Sequence, residues 1–481
     1  MIFNSLTYIL LLFLVITLYW LFSYRARLIL IFISSLVFYG FWKISFIPIL
    51  LISVIVDWFI AQRIFQCQKR HRFSLLLISL ITNLGLLFYF KYLIFFADNA
   101  LGFANLLGAE IDPFALKIIL PLGISFYTFQ TISYTVDVYR GFIKPEKNFI
   151  LFACYVTFFP QLVAGPILRA KEVIPQFINR PSFSLDHILI GLRFILFGLF
   201  LKVVLADSIS IFVDRGFIIE VESLSAIDIW TLAFLFGFQI YFDFSGYSFI
   251  AIGSARMMGI VFPNNFNFPY IANTPKNFWQ RWHISLSSWI RDYLYLPLNK
   301  RKVENRSEGG FKKSLKSSGS NRSLFIAWGI MGLWHGANWT FLLWGVYHAI
   351  LISIYRLIEP TTRNFSHWFK SFLGISITLP LLMLSWIPFR AATLSDSLQM
   401  WAKIINPFAY TWLGMRENVY LITFIILVGF FIVYLFKEKI LPKLYSIKLI
   451  IIPLDIILMT IIFSSVVIFF RSTNQFIYFQ F

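Results

Sequence analysis

Two histidines in an otherwise apolar, tryptophan-rich chain are the first residues with the types and setting for chemistry. His335 lies in GLWHGANWTFLLWG (332–345), and His283 lies in FWQRWHISLSSWIRDYLYLPL (278–298). A buried imidazole can take a proton from a hydroxyl near neutral pH, which makes it a candidate general base. At helical spacing Asn338 and Trp339 share the His335 face, with Gly332 and Gly336 close by, where another backbone or a ligand can approach. From chemistry alone His335 reads equally as a histidine bonding across helices and as a base. His283 alone reads as an interfacial residue. On a helix Trp282, Ser285 and Trp289 would share one face, and His283, Ser287 and Ile290 another. His348 has fewer unusual neighbours, while His71, His187 and His367 read as solvated. Asp243, in YFDFSGYSFIAIG (241–253), is a carboxylate in a span, and such groups usually face a partner or a cavity. Its expected partner is Arg256 or Arg281.

These residues must be held by membrane-spanning helices. Only 13% of the 481 residues are charged, about half the level of a soluble protein, and apolar stretches of 18 or more residues recur, each able to cross about 30 Å of hydrocarbon. The expected class is therefore all-α and polytopic, with about 11–13 transmembrane helices. SLTYILLLFLVITLYWLF (5–22) has no preceding basic residue and no small-residue cleavage site, so it reads as a retained span. The net charge of +19 concentrates in loops between spans, which fits the positive-inside rule and excludes nucleic acid as a partner. Cys67 and Cys154 suggest neither a disulfide framework nor a metal site.

Charge bias places 62–72 and 139–147 in the cytoplasm and the loop with Asp98, Glu110 and Asp112 outside. FFPQLVAGPILR (158–169) breaks the pattern, and 148–166 reads as re-entrant. Spans follow at 187–205 and 229–253, joined by an outward loop with Asp207, Asp214, Glu220, Glu222 and Asp228. Residues 300–322 carry eight basic residues against two acidic ones and read as a mobile cytoplasmic loop. Later spans fall at about 323–337, 339–358, 371–388, 418–436 and 449–470, with both termini outside. No nucleophile elbow, phosphate-binding loop, HEXXH or paired-cysteine motif appears, so direct transfer to a hydroxyl is favoured over a covalent intermediate and no metal is expected.

The ordered series PLGISFYTFQTISYTVDVYRG (121–141), FFPQLVAGPILR, YFDFSGYSFIAIG, FPNNFNFPY (262–270), FWQRWHISLSSWIRDYLYLPL, GLWHGANWTFLLWG and WIPFRAATLSDS (386–397) resembles the membrane-bound O-acyltransferase family, and within it the bacterial alginate O-acetyltransferase branch. The resemblance implies re-entrant segments around a central tunnel, with N-terminal helices at 1–120, a catalytic core at 121–397 and C-terminal helices at 398–481. It implies that His335 is the catalytic histidine and His283 the second histidine. The implied reaction moves an acetyl group from a cytoplasmic thioester, acetyl-coenzyme A or an acyl-carrier protein, to hydroxyls of an exported polysaccharide, with periplasmic acetyltransferase partners. The implied location is the inner membrane of a bacterial cell. Arg281 and Arg291, with the basic loop, would attract the donor's phosphates. Asn338 or freed backbone N–H groups would stabilise the oxyanion, with Trp334 and Asp243 as further substrate-binding candidates. One departure is Phe249-Ile250, where the family segment usually reads Asp-Met. Rival readings are D-alanyl transfer, peptidoglycan O-acetylation and, from a different class, a transporter or flippase.

Overall fold

The computed structural model describes residues 1–109, 111–112, 118–163, 165–179, 181–299, 320–360, 366–410, 412–444 and 447–470. The basic loop expected at 300–322 therefore lies outside the described residues except for its last three. All regular structure among the described residues is helical, and eight helices are long and apolar enough to cross a membrane. The chain is a multi-pass, all-α membrane protein.

Helices α1 (Leu6–Leu21), α2 (Tyr24–Gly40) and α3 (Ile47–Gln66) are followed by a rod made of α4 (Lys69–Leu87), a π-helical turn at Phe88–Tyr92 and α5 (Leu93–Leu106). The rod is 38 residues long, or about 57 Å at helical rise, well beyond the thickness of a hydrocarbon core. Next comes α6 (Ile124–Tyr139), which begins after Gly123, a residue in the left-handed region.

The stretch expected to be re-entrant forms α7 (Phe149–Thr157) and α8 (Phe159–Leu162), both wholly or largely buried. Nine residues of α7 span only about 14 Å, so this element cannot cross. A third short helix, α9 (Ala170–Ile178), leads to α10 (Leu185–Leu199), a second π turn at Phe200–Ala206, and α11 (Asp207–Gly216). This corrects the outward loop expected from about residue 206. The helix continues to Gly216, because Asp207 is satisfied within it by Lys202 at 2.8 Å.

The central element is α12 (Ala226–Met257), buried on almost every side. It starts with a capping box in which Ser225 and Asp228 satisfy each other's backbone N–H groups. Asp228 is thus buried rather than in a solvated loop, and it also accepts from Tyr420 and the Gly414 N–H. Helices α10 and α12 pack at Gly198 and Gly246, where a Cβ on either residue would lie within 2.7 Å of the other's carbonyl oxygen. Small residues at such crossings let membrane helices approach closely.

The histidine-bearing segment 277–298 is not one helix. It breaks into α13 (Pro275–Trp279), a turn through His283, α14 (Ile284–Trp289), a third π turn at Ile290–Tyr295, and α15 (Leu296–Leu298). Then α16 (Asn321–His335) stops two residues earlier than the span expected at 323–337. Helix α17 (Trp339–Ile358) matches its expected span, and α18 (His367–Arg390) extends four residues before and two after its own. The remainder comprises α19 (Leu394–Ile405), α20 (Glu417–Leu435), α21 (Leu441–Leu444) and α22 (Lys448–Phe469). Helices α20 and α22 are mostly exposed, as lipid-facing helices would be.

Helix α16 crosses α17 closely, glycine against backbone. A Cβ on Gly332 would collide with the Phe341 carbonyl oxygen and come within 3.3 Å of the Gly345 Cα. The glycine beside His335 therefore admits a neighbouring helix rather than a ligand. Gly332→Ala should cost about 1–3 kcal/mol through this overlap, seen as a lower thermal-unfolding midpoint in detergent. Gly329→Ala, whose new Cβ would meet only a Leu342 methyl at 3.5 Å, should be nearly neutral.

Candidate functional site

His335 is the last residue of α16, and Gly336 continues in an extended conformation. Helix ends leave carbonyls without intrahelical donors, and here two adjacent side chains supply them. Lys91 Nζ donates to the Trp334 and His335 carbonyl oxygens at 2.7 and 2.9 Å, and the Tyr92 hydroxyl donates to the Leu333 carbonyl at 3.0 Å. Both donors lie in the π turn at Phe88–Tyr92. A cation at a helix C-terminus also complements the helix dipole. The His335 ring is buried among Trp334, Trp344 and Phe389, with ring centroids 5.0, 4.9 and 5.2 Å away.

Asn338 does not share a helical face with His335, because the helix has already ended. It is the N-cap of α17, and its Oδ1 accepts from the Thr340 N–H at 3.1 Å. It lines a cleft of about 380 Å³ with Gly336, Thr340, Phe389 and Arg390. A second cleft, of about 230 Å³, is lined by His335, Trp334, Ser125, Phe126 and Val163. Lys91 and Leu120 line both.

His283 is fully buried and adopts φ +41°, a conformation that favours glycine. Its ring packs edge-on to Phe244 at 4.6 Å and lies 6.3 Å from Trp334, so the Trp334 indole contacts both histidines. Nδ1 is 3.3 Å from Asn265 Oδ1, which also accepts from the Ser285 N–H and hydroxyl at 3.2 and 2.9 Å. The backbone N–H is an unambiguous donor, so this atom of Asn265 is the carbonyl oxygen. The neutral His283 ring must then carry its proton on Nδ1, leaving the Nε2 lone pair free; among the described residues Nε2 has no partner. Asn265 was legible only as part of FPNNFNFPY. The Ser285 hydroxyl also accepts from the Ile167 N–H at 3.0 Å, tying the 158–169 segment to the histidine turn.

The other expected site residues fall elsewhere. Asp243 pairs with Lys202 at 2.6 Å, not with Arg256 or Arg281. Lys202, from the π turn of the adjacent rod, also holds Asp207, and burial makes this nearby cation a better partner than a residue at the helix end. Its neighbour Phe244 packs on His283. Arg281 donates to Asn277 Oδ1 and the Asn267 carbonyl, bracing the loop before His283. Arg291 pairs with Asp292 at 2.6 Å, and Asp292 also holds Arg169 at 3.0 Å. His348, passed over in the sequence, is fully buried among Trp279, Trp328 and Trp344, and both its ring nitrogens lack partners among the described residues. His187 is partly buried rather than fully solvated.

The broken helices, the buried pair His283 and His335 about Trp334, and the cleft at His335 place an ionisable ring inside the bundle of a multi-pass membrane protein, a setting that suits acyl transfer. The family model described as "MBOAT, membrane-bound O-acyltransferase family" matches residues 144–388. The peptidoglycan O-acetyltransferase of Helicobacter pylori is 36% identical over 395 residues, covering 76% of this chain and 72% of that protein. The "Probable alginate O-acetylase AlgI" of Pseudomonas aeruginosa is 37% identical over 396 residues, covering 81% and 72%. The teichoic acid D-alanyltransferase of Bacillus subtilis is 29% identical over 272 residues, covering 53% and 65%. The chain belongs to the membrane-bound O-acyltransferase family. It is an O-acyltransferase.

Lys202→Met would remove the cation shared by the buried Asp243 and by Asp207, at a cost of about 3–5 kcal/mol. The thermal midpoint in detergent should fall sharply, and Lys202→Met combined with Asp243→Leu should recover much of the loss.

Proposed function

We propose that this chain is an O-acetyltransferase of the bacterial inner membrane. It takes an acetyl group from a thioester on the cytoplasmic side and delivers it, directly or through a periplasmic acetyltransferase, to hydroxyls of an exported polysaccharide. The single observation that carries the reading is His335. Its imidazole ends a helix inside the bundle and lines a cleft that a hydroxyl can enter.

In the reaction, an imidazole nitrogen of His335 takes the hydroxyl proton as the acceptor oxygen bonds to the thioester carbonyl carbon. The tetrahedral oxyanion then collapses, the C–S bond breaks, and the imidazolium returns the proton to the departing thiolate. Asn338 remains a candidate oxyanion donor through its side-chain NH2, since only its oxygen serves the α17 cap. His283, with its Nε2 lone pair free, is suited to accept a hydrogen bond from a hydroxyl or a water. Trp334, between the two histidines, would form the wall along which the acetyl group lies. Arg281 and Arg291, with the basic residues of 300–322, remain the candidates for attracting the donor's phosphates, whether on coenzyme A or a carrier protein. No resident metal or cofactor enters the scheme.

Two of the relatives named above act on different glycans, peptidoglycan and alginate, yet both names specify acetyl transfer. That favours acetyl over D-alanyl, because the D-alanyltransferase matches a shorter part of the chain at lower identity. The test is to follow radiolabelled acetyl incorporation into alkali-labile esters of surface glycans in cells with and without the gene. The wild-type chain should support incorporation. His335→Ala should lower it by about 10²-fold or more, at equal membrane abundance. Unchanged incorporation in that variant would reject His335 as the base, and D-alanyl esters in place of acetyl would reject the donor assignment.

A further inference from the structure

We propose that Lys91 is a further residue of the acyl-transfer site. It positions His335 through the end of α16 and offers its remaining N–H to an oxygen of the bound substrate. The proposal rests on the reading of His335 as the base.

Three observations converge on it. Lys91 Nζ bonds the carbonyl oxygens of His335 and of the residue before it, so its position and that of the imidazole backbone are fixed together. An ammonium has three donors, and two carbonyls use only two. Lys91 also lines both clefts, the one that reaches His335 and the one that reaches Asn338. The third N–H therefore belongs to the space that a substrate would fill. These clefts run beside Leu120–Gly123 and Ala391, segments that the charge-based topology puts toward the outer face, where the hydroxyl acceptor arrives. The ligand chemistry that suits this donor is an oxygen bearing or acquiring negative charge, and the thioester carbonyl oxygen acquires one as the hydroxyl attacks.

The local backbone supports a built site. Lys91 and Tyr92 sit in a π turn, one extra residue in a helix that would otherwise aim them elsewhere, and such turns are frequent at functional sites. Together they cap three consecutive carbonyls, those of Leu333, Trp334 and His335. The ammonium also lies 6.0 Å from the centre of the Trp334 ring, within cation–π range.

The experiment uses the full chain in cells and reads initial acyl-ester incorporation into surface glycan per folded chain, with folding measured by thermal unfolding of the extracted protein. Lys91→Met should lower the rate per folded chain at least about thirtyfold, and Lys91→Arg, which keeps charge and donors, should recover at least a tenfold part of that loss. A merely structural lysine would give Lys91→Met a lower unfolding midpoint with a rate per folded chain within threefold of wild type, and that result overturns the proposal. Equal losses in Lys91→Met and Lys91→Arg would also overturn it. His335→Ala serves as the parallel control: if it stays active, the base assignment fails, and the Lys91 variants are then judged by their own rates.

Discussion

A helix that stops inside a hydrocarbon layer leaves carbonyl oxygens with no water to satisfy them, and each unsatisfied group costs several kcal/mol. The end of α16 at His335, buried inside the helix bundle, faces the same constraint. It is met by Lys91 and Tyr92, which bond the carbonyls of residues 333 to 335. Without those donors α16 would gain by continuing as a helix, and His335 would turn away from its cleft. With them the chain can break at Gly336, restart at Asn338 and return as α17, packed so closely that only glycine fits at positions 332 and 345. The position of the imidazole is thus set by backbone hydrogen bonding to side chains more than 240 residues away in sequence.

The same device recurs. Of the four π turns among the described residues, those at Phe88–Tyr92, Phe200–Ala206 and Ile290–Tyr295 carry charged residues that satisfy groups otherwise stranded, while the fourth, Phe436–Ile440, lies on the exposed α20 rod. Lys91 holds carbonyls, Lys202 holds Asp243 and Asp207, and Asp292 holds Arg169 and Arg291. An extra residue in a helix re-aims one side chain without ending the rod, so a membrane helix can place an ion inward while keeping its backbone bonded. Around the histidines the rest is aromatic packing. The stack of Phe129 on Trp289, at 3.8 Å and 3°, continues to Trp334 and so to both imidazoles.

Much of this was legible in the sequence because hydropathy and motif order are strong signals. The span at 339–358 matches α17 end to end, and the proline-rich 158–169 stretch announced a break that the structure contains. What failed did so for identifiable reasons. The segment around His283 looked helical because its left-handed turn is made by a histidine, not by the glycine that would have flagged it. Asp243 was assigned Arg256 or Arg281, while its partner Lys202 lay inside an adjacent apolar span, where a lysine is itself the sign of a buried mate. Lys91 was missed because a lysine near a span end usually reads as reaching for the interface. No periodicity marks a π turn, and only the fold brings residue 91 to residue 335.

The central claim is that acyl transfer occurs at the imidazole held by that capped helix end. The most direct measurement is a structure of the full chain in a lipid bilayer with a non-hydrolysable acetyl-thioester analogue bound. The account predicts the carbonyl carbon in the cleft bordered by His335, Trp334 and Lys91, with its oxygen within hydrogen-bonding distance of Lys91 Nζ or the Asn338 side-chain NH2. An analogue whose carbonyl binds away from His335, with that cleft left empty, would contradict it.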